Sequence, residues 1–323
     1  MMKEVIDKKQ KIAVLIPCYN EEKTIAKVVS DFCLQLPDAE IYVCDNNSID
    51  NTVKEAKRAG ARVMCEKRQG KGNAIRSMFR RIDADIYVMV DGDGTYPADK
   101  VYELIKPIIE DEADMVVGSR FHNCSNSKFK PLNWLGNKFF LLVLNGLFRI
   151  RITDLLSGYR AFNKRVVKCL PVLSRGFEVE TELTVKCIER GYRILEVPVS
   201  LSQRPEGSQS KIRVFKDGLL IFNTIFALLR DYKPLTAFGL LGLIFVLPGF
   251  IYSITVIREF LLTGYIHRIP LAILAGGLVL LGTSIIFLGL VLHTISKRFQ
   301  EMDYQLQNLF NRIDVEDNKS KDG

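Results

Sequence analysis

Two long apolar stretches in the last third of the 323-residue chain constrain its fold more than any other feature. They run over about Leu235–Ile257 and Pro270–Leu292. Each has the roughly 20 residues that an α-helix needs to cross the hydrocarbon core of a bilayer, and core helices of soluble domains are rarely so long and uncharged. The sequence therefore predicts a transmembrane hairpin within residues 234–293, which returns the chain to the side of the membrane from which it entered.

Basic residues around the hairpin predict its orientation. More basic residues flank the hairpin than lie in the loop between its two stretches, as the positive-inside rule expects when the flanks are cytoplasmic. We expect a multi-pass cell-membrane protein with a cytoplasmic domain over residues 1–212, an amphipathic interfacial helix over 213–231 and a polar cytoplasmic tail over 294–323, disordered after Phe310. The charges are Arg230, Lys233, Lys297 and Arg298 outside the hairpin, against Arg258 and Arg268 within it.

The overall charge and the cysteines narrow the class of protein. A net charge of +8 suits contact with anionic lipid or phosphorylated substrates. Nucleic-acid binders share that charge, but the chain offers no basic surface with interleaved aromatic residues, so we expect no nucleic-acid partner. The seven cysteines are scattered without a C-x-x-C spacing, which predicts buried, reduced thiols rather than disulfides or a zinc site.

The region from Lys11 to Met115 alternates short β-rich runs with helical stretches. This alternation predicts an α/β domain with a mainly parallel, doubly wound sheet, in which ligands bind beyond the carboxyl ends of the strands. The polar clusters of this region begin where the predicted strands end. These strands are Ile12–Ile16, Ile41–Cys44, Ala61–Cys65, Ile86–Val90 and Met115–Val117.

The segment Asp91-Gly92-Asp93-Gly94 follows one of these strands directly. Two carboxylates two residues apart at a strand end can bind one hard cation, and the glycines permit close approach of backbone and ligand. Such an ion would neutralise charge on the diphosphate of a nucleotide-sugar. The alternative is an acidic turn without a ligand, for which the same residues are well suited.

Together with this segment, three further motifs at strand ends resemble the family 2 glycosyltransferases of the GT-A fold. The similarity is to the polyprenyl-phosphate hexosyltransferases, which include dolichol-phosphate mannose and glucose synthases, and it covers about residues 11–215. It implies a Rossmann-like GT-A domain, Mg²⁺ or Mn²⁺, a nucleotide-sugar donor, a polyprenyl-phosphate acceptor and a homo-oligomer. The motifs are IPCYNEE at 16–22, CDNNSID at 44–50 and QGKGNAIRSMF at 69–79.

The resemblance implies a donor site and a metal site. The metal ligands would be Asp91 and Asp93, the latter with a catalytic role. Asn46 stands where many relatives have a second acid, and Thr95 stands where mannose-transferring relatives often have Gln. Lys71 either offers a cation to the donor, with its flanking glycines close to the ligand, or is a solvated turn residue. The nucleotide-sugar contacts would be Pro17, Tyr19, Asn20, Glu21, Asp45, Asn47, Lys71, Asp91 and Gly92.

The resemblance places acceptor-phosphate contacts on later motifs. Guanidinium groups bind phosphate bidentately, although each arginine could equally form a surface ion pair. Asp154 matches the family's candidate catalytic base, but a phosphomonoester with a second pKa of about 6 needs little help, so Asp154 could instead orient the acceptor or complete the donor site. The implied contacts are Arg120, Ser157, Arg204, Ser210 and Lys211.

Three acids in the run GFEVETEL, at 178, 180 and 182, lie at the start of a predicted helix. The helix dipole explains acids there, and contact between one of them and the sugar is the alternative. Phe139–Phe148 is either a second interfacial helix or a core helix.

These features predict inverting transfer of a hexose or N-acetylhexosamine, from a UDP-sugar in preference, to undecaprenyl or dolichyl phosphate. A GDP-mannose-dependent synthase is the first alternative. A polysaccharide synthase is disfavoured because the Q-x-x-R-W motif is absent and two spans are few. A non-catalytic membrane scaffold is disfavoured by the intact charged residues.

Overall fold

The computed structural model describes residues 10–120, 141, 145–146, 152–176, 178–201, 227, 229–231 and 233–321, with side chains in the last range up to 302 and at 305. The chain divides into two compact units, Met1–Thr224 and Ile225–Gly323. The predicted domain boundary at residue 212 and most of the predicted interfacial helix over 213–231 lie outside the described residues, as does most of Phe139–Phe148.

Within the described part of the first unit, seven strands form one sheet in the order β3-β2-β1-β4-β6-β5-β7. β6 runs antiparallel to β4 and β5, and the other neighbours are parallel. The sheet is thus a mixed one, in which the predicted parallel majority is confirmed. The strands are β1 (Ile12–Cys18), β2 (Glu40–Asp45), β3 (Arg62–Cys65), β4 (Ile86–Met89), β5 (Met115–Ser119), β6 (Arg160–Asn163) and β7 (Ile194–Pro198).

Helices cover both faces of the sheet. Along β1 alternate side chains enter two different apolar clusters, so the whole strand is buried and reads as a continuous apolar run. This is why hydropathy located β1 but missed β6, which has a charged first residue, and β7, which mixes Glu and Pro with apolar residues. The helices are α1 (Ile25–Gln35), α2 (Thr52–Arg58), α3 (Lys71–Arg81), α4 (Val101–Ile109), α5 (Lys164–Cys169) and α6 (Val179–Glu189).

The strand order changes direction at β1, which lies between β2 and β4. At such a switch point the loops beyond the carboxyl ends of the strands diverge and leave a crevice for ligands. The chain places the loops after Cys18, Asp45 and Met89 there.

Asn46 joins the loop after β2 to the connection between β3 and α3. Its Nδ2 donates to the carbonyls of Glu66 and Arg68 at 3.0 and 2.7 Å, and its Oδ1 accepts from the Gly70 N–H at 2.6 Å. A carboxylate cannot donate, so an acid would leave both carbonyls without this partner. The amide at this position therefore has a structural role, which fixes where α3 begins.

Gly70 and Gly72 permit close backbone contact rather than contact with a donor. A Cβ at Gly70 would lie 2.1 Å from the Arg175 carbonyl oxygen, and one at Gly72 would lie 2.2 Å from that of Ser174. Gly70 also has a φ of 127°, which favours glycine. The backbone of residues 174–175 therefore fills the space beside these two glycines where a side chain would lie. The expectation that this space admits the donor is wrong.

Arg160, the first residue of β6, supports the segment that precedes this strand, residues 154–159. The side chain is fully buried and donates to the carbonyls of Leu155 and Ser157 at 2.7 and 2.8 Å and to Thr184 Oγ1 at 2.7 Å. Burial lowers the pKa of Arg160 below its ordinary value. These three bonds link the segment before β6 to α6.

The second unit contains two long helices, α7 (Pro234–Thr263) and α8 (Ile269–Lys321). Both are long and apolar enough to cross a membrane, and they contain the two predicted spans. Small residues let them approach closely, since a Cβ at Gly242 would lie 2.7 Å from the Gly282 carbonyl oxygen. The expectation of disorder after Phe310 is wrong for the backbone, which stays helical to Lys321 and so continues the second span without a break.

Six of the seven cysteines lie among the described residues, and none of these six forms a disulfide. Cys18, Cys44 and Cys187 are buried as predicted, whereas Cys33 and Cys65 are exposed. Cys33 lies on the outer side of α1, and Cys65 ends the edge strand β3, which explains their exposure.

Arg160→Met should lower the free energy of unfolding of the first unit by about 3 kcal/mol, because it leaves two buried carbonyls and a hydroxyl without their donor. Denaturant unfolding of the full chain in detergent, followed by circular dichroism, measures this. Arg58→Met, which removes a side chain that is 73% exposed, is the matched control and should change the value by less than about 0.5 kcal/mol. Equal effects of the two substitutions would contradict the buried role of Arg160.

Glu66 should make stability dependent on pH. The Arg68 side chain and N–H lower the pKa of Glu66 from 4.5 to about 2. Ionised Glu66 therefore stabilises the fold above about pH 4.5, and this contribution is lost as the pH falls towards about 2. The difference in unfolding free energy between wild type and Glu66→Gln should shrink between about pH 6 and about pH 3. A difference that stays constant over that range would contradict it.

Candidate active site

The loops after β1 and β2 are joined by hydrogen bonds at the switch point. The Asn20 N–H donates to Ser48 Oγ at 2.9 Å, and the Ile49 N–H donates to Asn20 Oδ1 at 2.9 Å. The Glu21 N–H donates to Thr52 Oγ1 at 2.8 Å. Both Asn20 and Asn47 have positive φ, 52° and 67°, a conformation that Asn tolerates better than most residues. The two loops thus form one wall of the crevice.

The predicted donor residues lie on this wall and beside it. Pro17 and Cys18 pair in register with Cys44 and Asp45, so the ends of β1 and β2 meet. Asp45 is 5% exposed. The structure therefore brings together the residues that the two motifs contribute: Pro17, Tyr19, Asn20 and Glu21 from the first, with Asp45 and Asn47 from the second.

The Asp91–Gly94 turn is fixed by hydroxyl groups and glycines. A Cβ at Gly92 would lie 2.6 Å from Cys18 Sγ, and Thr24 Oγ1 donates to the Gly92 carbonyl at 2.7 Å. Asp93 Oδ1 accepts from the Thr95 hydroxyl at 2.6 Å and from the Thr95 N–H at 3.1 Å. Thr95, the residue that departs from the mannose-transferring pattern, thus orients the Asp93 carboxylate.

Lys71 lies between two carboxylates and is not a solvated turn residue. Its Nζ contacts Asp91 Oδ1 and lies 2.5 Å from Glu180 Oε1. Its side chain is 10% exposed, that of Glu180 4% and that of Asp91 29%. Burial by itself lowers the pKa of Lys71, but the two carboxylates outweigh it and raise that pKa above its ordinary value. The ammonium group therefore stays charged beside Asp91.

Glu180 is the one of the three GFEVETEL acids that enters the site, and their shared place at a helix start did not single it out. Glu178 accepts the N–H groups of Arg175 and Gly176 at 3.0 Å, and Glu182 binds Lys186 and the loop before α6, as helix-start acids do. Glu180 instead reaches Lys71. Its position three residues before Leu183, a core residue of α6, was the available signal that it faces inward.

The segment before β6 lies directly against the Asp91 carboxylate. A Cβ at Gly158 would lie 2.4 Å from Asp91 Oδ2, so only glycine fits. The Gly158 N–H donates to the Tyr96 hydroxyl at 2.9 Å. Burial raises the pKa of Tyr96, which keeps this hydroxyl protonated. The segment 154–160 and the Asp91–Gly94 turn therefore meet at one place.

Arg120 and Asp154 form a bidentate ion pair. Arg120 Nε donates to Asp154 Oδ2 at 2.7 Å and Nη2 donates to Oδ1 at 2.9 Å. The N–H groups of Arg120 and Leu156 also donate to this carboxylate, which is fully buried. The Asp154 N–H is held by Glu196 of β7 at 3.0 Å. Arg120 was expected to bind phosphate, and here its orientation is set by Asp154.

Ser157 is occupied within the fold. Its hydroxyl is fully buried and donates to the Gly118 carbonyl at 2.6 Å, so it ties the end of β5 to the segment before β6. Its predicted contact with the acceptor phosphate would require that bond to break. The other predicted acceptor contacts, Arg204, Ser210 and Lys211, lie outside the described residues.

The carboxylates of Asp91 and Asp93 fit a divalent cation only if a bound substrate supplies further coordinating oxygens. Among the described residues no three His, Cys, Asp or Glu side chains gather as a preformed metal site. Mg²⁺ is commonly held by one or two carboxylates together with substrate phosphates. The Asp91 carboxylate is partly exposed and is paired with the Lys71 ammonium group. The donor set thus fits an ion completed by a diphosphate.

The known proteins that resemble this chain include glycosyltransferases. Residues 13–170 match the model of the family described as glycosyl transferase family 2. The chain is 31% identical over 299 residues to glycosyltransferase AglJ of Haloferax volcanii, covering 92% of this chain and 98% of the relative. It is 33% identical over 215 residues to a UDP-N-acetylglucosamine–dolichyl-phosphate N-acetylglucosaminyltransferase of Methanococcus voltae, covering 58% and 84%.

The fold is also that of a solved glycosyltransferase. Glucosyl-3-phosphoglycerate synthase from Mycobacterium tuberculosis, solved with Mn²⁺ and UDP-glucose, matches with a TM-score of 0.57 at 22% identity and covers 72% of this chain and 83% of that one. The likeness confirms the α/β fold of GT-A type. With a near full-length relative and a matching family model, the chain belongs to glycosyl transferase family 2.

Proposed function

We propose that the protein transfers a hexose or N-acetylhexosamine, with inversion, from a UDP-sugar to a polyprenyl phosphate at the cytoplasmic face of the membrane. The observation that carries this proposal is the contact of Gly158 with Asp91, which joins the donor-side carboxylate to the segment that bears Asp154, the partner of Arg120. A phosphate-binding guanidinium and a metal-binding carboxylate thus share one site. Two helices able to cross a membrane support a lipid acceptor.

On the donor side, Asp91 and Asp93 would hold Mg²⁺ or Mn²⁺ together with the diphosphate. When bound, the ion neutralises the charge that grows on the leaving nucleoside diphosphate. The wall formed by the loops after β1 and β2 holds the nucleotide, with Asp45 near the base and ribose. Thr95 keeps Asp93 in one orientation through two hydrogen bonds.

On the acceptor side, Arg120 offers its guanidinium to the lipid phosphate. A phosphate oxygen attacks the anomeric carbon while the bond from that carbon to the donor diphosphate breaks, which inverts the configuration. Asp154 accepts four hydrogen bonds and is fully buried, so it lacks the exposed oxygen that a base needs. We therefore assign Asp154 to positioning Arg120, and the phosphate dianion attacks without a base.

The relatives support the substrate classes. Similar proteins include a dolichyl-phosphate hexose transferase of Haloferax volcanii and a dolichol-phosphate mannosyltransferase of Pyrococcus furiosus, each 28% identical. The mannosyltransferase supports a GDP-mannose donor as the second candidate. The homo-oligomer implied by the resemblance stays a prediction.

The test uses the full chain in detergent with Mn²⁺, undecaprenyl phosphate and a panel of radiolabelled UDP- and GDP-sugars. Label that enters the lipid phase with one donor and is lost on chelation would establish the reaction and the sugar. Nucleotide release without labelled lipid would overturn the lipid acceptor, and no consumption of any donor would favour a non-catalytic scaffold.

Asp93→Asn should lower kcat by about 100-fold or more with folding intact, because a neutral amide is a poor ligand for a hard cation. The matched control is Asp99→Asn, an exposed acid six residues further along the chain, which should retain activity. Near-normal turnover in a folded Asp93→Asn protein would remove the metal from the mechanism.

Asp154→Asn distinguishes a positioning residue from a base. We expect KM for the lipid to rise by about tenfold because Arg120 loses its ionic partner. The acidic limb of the profile of kcat/KM against pH should stay near about pH 6, since the second pKa of the phosphate sets it. Loss of that limb in the variant would identify Asp154 as the base.

A further inference from the structure

The contact between Lys71 and Asp91 places an ammonium group on a carboxylate that the proposed metal ion needs. Lys71 Nζ contacts Asp91 Oδ1, and the two side chains are 10% and 29% exposed, so solvent screens the pair only in part. A divalent cation at Asp91 must either displace this ammonium group or bind beside a positive charge. Without a donor diphosphate, the site is therefore poorly suited to the ion.

Glu180 gives Lys71 a second anionic partner. It lies in the first turn of α6, is 3% exposed, and its Oε1 is 2.5 Å from Lys71 Nζ. Its other oxygen, Oε2, is buried and has no hydrogen-bond partner among the described residues. A lysine that turns away from Asp91 thus keeps one charged partner, and a second acceptor oxygen lies on the same side chain.

The position of Lys71 suits movement towards a diphosphate. It is the first residue of α3, and the backbone on one side is fixed by Asn46 and by the contact of Gly72 with Ser174. Its four-carbon side chain is the mobile part, because the N–H groups of Gly72 and Asn73 already donate to backbone carbonyls. The ammonium group can change partners without movement of the backbone.

We propose that Lys71 is a resident counter-ion of Asp91, which moves to the donor diphosphate when the divalent cation binds, and that Glu180 anchors it during the exchange. This inference rests on the proposed function. Lys71 would leave Asp91 when the ion binds and would then pair with the diphosphate, so the exchange couples the two ligands. Each ligand then raises the affinity for the other by the same factor.

Direct binding of Mn²⁺ tests the exchange without measuring turnover. The full chain in detergent is titrated with Mn²⁺ alone and with Mn²⁺ in the presence of UDP, and unbound Mn²⁺ is counted by electron paramagnetic resonance. In the wild type, UDP should tighten Mn²⁺ binding by about tenfold or more. In Lys71→Met, binding of Mn²⁺ alone should be about tenfold tighter than in the wild type, and the effect of UDP should fall to about threefold or less.

Two further variants make the result specific. Lys71→Met leaves Glu180 buried without its cation, so the double variant Lys71→Met/Glu180→Gln is included. It preserves the net charge of the wild type and removes the unpaired acid, and it should also bind Mn²⁺ alone more tightly than the wild type. Lys67→Met removes an exposed lysine from the same connection between β3 and α3 and should leave both affinities unchanged.

The outcomes separate this inference from the proposed function. A folded double variant that binds Mn²⁺ alone no more tightly than the wild type would show that Lys71 does not compete with the ion, and would overturn the exchange while the transferase proposal stands. A wild type that binds no Mn²⁺ even with UDP would overturn the metal-dependent function itself.

Discussion

The carboxylate of Asp91 is the point on which the rest of the site depends, because it brings three separate parts of the chain together. It follows β4 along the chain, it receives the ammonium group of Lys71 at the start of α3, and it lies against Gly158 before β6. A negative charge that is partly buried needs a cation nearby. That requirement explains why the fold keeps a lysine, and not a neutral residue, at the start of α3.

The contacts around Asp91 also explain several residues that carry no charge. Asn46 fixes the start of α3 by donating twice and accepting once, and Gly70 and Gly72 let the 174–175 backbone close over that start. Thr24 and Thr95 hold the acidic turn through their hydroxyl groups. A rigid frame of this kind would limit movement during the proposed exchange at Lys71 to side chains, and precise positioning in a transferase requires such a frame.

On the side proposed for the acceptor, Arg120 is likewise oriented by a buried partner. Its guanidinium is oriented by a fully buried Asp154, which is itself held by Glu196 on β7. Arg160, also fully buried, donates hydrogen bonds to carbonyl groups of the segment between Asp154 and β6. Two arginines that look equivalent in the sequence therefore differ: one faces the site, and the other supports the loop that forms it.

The sequence by itself determined the apolar helices, the five strands of strong hydropathy and the motifs at their carboxyl ends, since each depends on residues that are neighbours along the chain. The tertiary structure alone decided the partners of those motifs. Lys71 meets Glu180 across 109 positions, and Arg120 meets Asp154 across 34, separations at which spacing carries no information about contact. β6 and β7 were missed because β6 begins with a charged residue and β7 mixes Glu and Pro with apolar residues that stay at least partly exposed. Burial gave Ser157, Glu180 and Asp154 roles that charge and residue type could not assign, because the partner of a polar group is fixed only when the chain closes around it.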